Sequence, residues 1–71
     1  MTFREARDTC FEYVQNHPGT TMEDVANIFI NEQEDLGLSD LDLGILLYHL
    51  EVPHMIPEKS MNALKEEGYI N

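Results

Sequence analysis

The segment Leu41-Asp42-Leu43-Gly44-Ile45-Leu46-Leu47-Tyr48-His49-Leu50 constrains this chain more than any other stretch. Wound as a helix, it places Leu41, Ile45, Tyr48 and Val52 on one stripe, and Leu43, Leu46, Leu47 and Leu50 on another along the opposite side. One neighbour cannot cover both. Either this helix runs through the centre of the domain, or its second stripe is a surface for a second copy or another partner. Ser39 is placed to cap it, Asp40 and Asp42 fall in a first turn where the helix dipole favours negative charge, and Pro53 is expected to stop it.

Three further segments carry helical signals. Thr2 and Glu5 have the Thr-x-x-Glu spacing of a capping box, after which Phe3, Ala6, Cys10, Phe11, Tyr13 and Val14 share a face until Pro18-Gly19 makes a turn. Arg7 falls inside that arc, which predicts either a stem packed on the core with its guanidinium at the edge, or a pair with a carboxylate of another helix. A second capping box, Thr20-Thr21-Met22-Glu23, opens a helix whose Met22, Val25, Ala26, Ile28, Phe29 and Ile30 form an arc wide enough to be clasped on two sides. A frayed end and loop follow over Glu32–Leu38. The last helix is expected to begin with Pro57 as its first residue, to turn Met61 and Leu64 inward, and to stop at Gly68, with Tyr69 and Ile70 folding back over the bundle. No alternating pattern of useful length suggests a strand. The expectation is a single all-α domain over residues 1–71, a small four-helix fold of three main helices and a short C-terminal one, with helix three central or at a dimer interface.

The composition excludes several classes. Fourteen acidic residues against four basic ones give a formal charge of −10, so no direct nucleic-acid partner is expected, and a hydrophobic content of 42% is too high for a disordered acidic tail. Cys10 is the only cysteine, which excludes an internal disulfide and a thiolate zinc cluster. The early residues are charged rather than apolar, and the run Ile45–Tyr48 is far short of the roughly 20 residues a membrane span needs, so a cytoplasmic protein without a membrane partner is expected. His17, His49 and His54 do not share the i, i+4 face of a helical metal site. Asp42 and His49 share a side of helix three but lie about 10 Å apart along it, too far to act as a base and its orienter. Ser39 and Ser60 have no neighbouring base, and no Gly-rich phosphate loop occurs. Asp40, Asp42, Gly44 and Glu51 imitate calcium-loop spacing, but Ile45 occupies the position where that loop turns on Gly. Neither catalysis nor a metal or cofactor is expected.

Two partial family resemblances are visible. Glu34-Asp35-Leu36-Gly37-Leu38-Ser39-Asp40-Leu41-Asp42, the apolar helix to Leu50-Glu51 and the Ile56-Pro57-Glu58 turn resemble acyl carrier proteins, which are also small acidic four-helix domains. That family carries phosphopantetheine on the Ser of an Asp-Ser-Leu motif. Here the order is Ser39-Asp40-Leu41, with Asp40 where the Ser would be, so the resemblance implies an acyl-carrier-like scaffold lacking a correctly placed attachment serine. The stretch from Tyr13 to Ala26 and the closing Leu64-Lys65-Glu66-Glu67-Gly68-Tyr69-Ile70 are similar to winged-helix and helix-turn-helix proteins, which implies a transcriptional regulator as a further alternative. The would-be recognition helix offers Asp40, Asp42 and Glu51, which repel phosphates.

The charge is unevenly placed. Residues 23–51 hold eight acidic residues and no basic one, and no Lys or Arg occurs between Arg7 and Lys59. Glu23, Asp24, Asp40 and Asp42 sit in first turns of helices, where the dipole accounts for them. Glu32, Glu34 and Asp35 cluster instead at a helix C-terminus, which opposes negative charge by about 0.3–1 kcal/mol each. They are either a solubilising loop or a docking surface. The functional expectation is a non-catalytic interaction or regulatory module that binds a basic protein surface, as a competitor for that protein's nucleic acid. Its contacts would be Glu32, Glu34, Asp35, Leu36, Leu38, Asp40 and Asp42.

Overall fold

A side-chain oxygen closes the first turn of each of the three longer helices. In the computed structural model, which describes residues 1–70, these are α1 (Phe3–Asn16), α2 (Met22–Asn31) and α3 (Asp40–His49), followed by a 3-10 turn at Pro53–Met55 and by α4 (Glu58–Glu66). Thr2 Oγ1 accepts from the Glu5 amide at 3.2 Å while the Glu5 carboxylate accepts from the Thr2 amide at 3.0 Å. These bonds to Thr2 also hold the Glu5 carboxyl below its ordinary pKa. Ser39 Oγ accepts from the Asp42 amide at 3.0 Å. The α2 box lies one residue later than the sequence suggests: Thr21 and Asp24 exchange the reciprocal bonds, not Thr20 and Glu23. The turn through Pro18-Gly19 consumes the extra residue, because the Thr20 amide donates to the His17 carbonyl. At α4, likewise, Pro57 is the cap in extended backbone rather than the first helical residue.

Two helices end alike. Gly68, at φ +80, terminates α4 with its own amide donating to the Lys65 carbonyl and the Tyr69 amide reaching back to Leu64. α3 uses the same paired bonds, Glu51 to Tyr48 and Val52 to Leu47, with Glu51 in the left-handed position at φ +62. Pro53 therefore does not stop α3. The helix is over by Leu50, drawn off its axis as Val52 buries itself, and Pro53 opens the 3-10 turn.

Among the described residues there is no strand, and the domain is all-α with four helices. α3 is central: it packs against α1, α2, α4 and the 3-10 turn. Leu43, Leu46, Leu47 and Leu50 are buried, meeting Ala6 and Cys10 of α1, and Val25, Ala26 and Phe29 of α2. Gly44 sets the approach of α4, since a Cβ there would lie 2.9 Å from Leu64 Cγ and 3.2 Å from the Ser60 carbonyl oxygen. The opposite stripe of α3 is only partly covered; Leu41 and Ile45 are half-buried and Tyr48 is 58% exposed.

The α1 face is narrower than its pattern suggests. Only Ala6 and Cys10 are buried; Phe11 and Tyr13 are exposed, because the helix rests on α3 through its smallest side chains. Arg7 pairs with its neighbour Asp8 at 3.2 Å, not with another helix, and its guanidinium lies 5.9 Å from the Phe3 ring centroid. Ile70 is half-buried, but Tyr69 is 59% exposed and covers little of the bundle.

Two outcomes follow for stability. Gly44→Ala should destabilise the domain by about 1–3 kcal/mol through overpacking, although Ala gains about 1 kcal/mol of helix propensity over Gly. Glu51→Gly should stabilise it by about 1 kcal/mol, by relieving a non-glycine residue in left-handed backbone. Urea unfolding of both variants measures each effect.

Candidate functional site

The acidic segment is an ordered extra turn at the end of α2, not a frayed loop. The Leu36 amide donates to Glu32 at 2.9 Å, and Gly37, at φ +66, ends the turn with its own amide on Glu34 and the Leu38 amide on Gln33. Leu38 is driven into the core, where it is 5% exposed. It anchors the turn and is not available as the surface contact expected of it. Leu36 is half-buried against the same core. Glu32, Glu34, Asp35 and Asp40 are exposed, and Asp42 is partly covered.

One residue that sequence reasoning passed over organises this surface. Gln33 Nε2 donates to the Leu38 carbonyl at 3.1 Å and to Asp40 Oδ1 at 3.0 Å, bridging the extra turn to the start of α3. The signal was its neutrality: a lone amide between Glu32 and Glu34 supplies the donor that its carboxylate neighbours lack. The Met1 nitrogen donates to the Leu36 carbonyl at 3.0 Å, so the start of α1 lies beside the turn. The C-terminal end of α2 and the N-terminal ends of α1 and α3 thus meet at one pole, which carries the acidic turn together with Asp40 and Asp42. Ser39, next to the Asp40 that occupies the attachment position of the carrier-protein pattern, caps α3 with its hydroxyl.

A second feature lies on the other exposed side of α3. Ile45, Tyr48 and His49, with Leu64, Tyr69 and Ile70, line a groove of about 210 Å³. His49 connects it to α1, standing edge-on to Phe3 at 5.7 Å and to Phe11 at 6.4 Å between ring centroids. The other two histidines lie elsewhere. His17 stacks on Tyr13 at 4.1 Å, and His54 meets the Glu23 carboxylate at 3.4 Å. Among the described residues no group of three or more His, Cys, Asp or Glu side chains has the arrangement to hold a metal ion. No described helix is long and apolar enough to cross a membrane. The calcium-like window from Asp40 to Glu51 is occupied mainly by α3.

Two buried polar groups sit in the helix contacts. The Ser60 hydroxyl is fully buried with no hydrogen-bond partner, beside the α3–α4 contact. The Cys10 thiol is buried between α1 and its neighbours, and desolvation pushes its pKa up to about 11. Raised above the ordinary value of 9.0, the thiol contributes stability that is present below pH 9 and is lost as pH rises through about 11. Urea melts across that window should therefore show a fall in stability that Cys10→Ala lacks, and native protein at pH 8 should resist iodoacetamide at this site.

Comparison with protein-family models, with curated proteins and with solved structures finds no match.

Proposed function

We propose that this chain is a non-catalytic interaction module that docks through its acidic pole onto a basic surface of another protein, competing there with that protein's nucleic acid. The observation carrying this reading is the Gln33-bridged turn, which holds Glu32, Glu34 and Asp35 exposed beside Asp40 against the local helix dipole. A solubilising loop needs charge but no fixed geometry. A docking surface needs both, since complementary fields steer encounter and fix the register of the two partners. Leu36, half-buried within the acidic rim, supplies the apolar contact, and Asp42 extends the surface onto α3. The cytoplasm, where basic nucleic-acid-binding proteins are abundant, suits a chain with one unpaired cysteine.

The test is affinity capture with the wild type and with a Glu32→Gln, Glu34→Gln, Asp35→Gln variant. The wild type should retain a basic partner that elutes with added salt, because exposed charges are screened over about 8 Å at physiological ionic strength. The triple variant should lose that partner while folding as well or up to about 1 kcal/mol more stably. A charge-matched control, Glu58→Gln, Glu66→Gln, Glu67→Gln, should retain it. Equal loss in both variants would reduce the effect to net charge.

A further inference from the structure

We draw no further inference here: the strongest candidate, the groove of about 210 Å³ between the exposed side of α3 and the C-terminal Tyr69 and Ile70, is an unpartnered apolar face, and nothing in the structure shows what covers it.

Discussion

The contact between α3 and α4 at Gly44 is the constraint on which the remaining structure depends. Burying a helix on several sides requires neighbours close enough to exclude water, and here one neighbour is a nine-residue helix with little surface to offer. Removing a Cβ lets that helix lie with its own backbone and Leu64 directly against α3. The local cost is about 1 kcal/mol of helix propensity. The return is a leucine-rich helix covered by α4 in addition to α1 and α2, in a chain whose size allows only a small core. The unpartnered Ser60 hydroxyl lies in the same helix contact, where a small side chain suits the close approach better than its polarity does.

Much of this was legible in advance, for identifiable reasons. Capping depends on one oxygen meeting one amide, so Thr2, Glu5 and Ser39 could be read directly. The two-sided apolar pattern of α3 likewise required several neighbours, and it has them. The misreadings arose where choices of similar energy compete. Thr20 and Thr21 are both competent caps, and an extra turn through Gly19 decided between them. Pro53 could end a helix, but Val52 gained more by burial one residue earlier, at the expense of left-handed backbone at Glu51. Phe11 and Tyr13 fall on the apolar arc of α1, yet contact through Ala6 and Cys10 brings that helix so close to α3 that the larger rings are turned to its margins.

The acidic pole illustrates a different limit. Its charge was evident from counting, and Glu32, Glu34, Asp35 and Asp40 are exposed as a docking surface requires. Leu38 was misassigned because a leucine in an acidic segment looks the same whether it faces a partner or anchors its own loop. The difference is set by Gly37, whose left-handed backbone turns the chain back on itself and sends the next residue inward. Gln33 was passed over because a bridging amide has no pattern of its own; it acquires a role only once the turn brings Leu38 and Asp40 within its reach.

The Gln33 bridge also bears on time. A flexible acidic loop must lose conformational entropy with each encounter, and its productive contacts are slowed by the search for a bound shape. The turn between α2 and α3 has already made its backbone bonds, closed its left-handed stop and buried its anchor. A partner of the kind proposed would meet carboxylates carried on a backbone already fixed in position, so its capture would be governed by diffusion and the long-range field rather than by rearrangement of the loop.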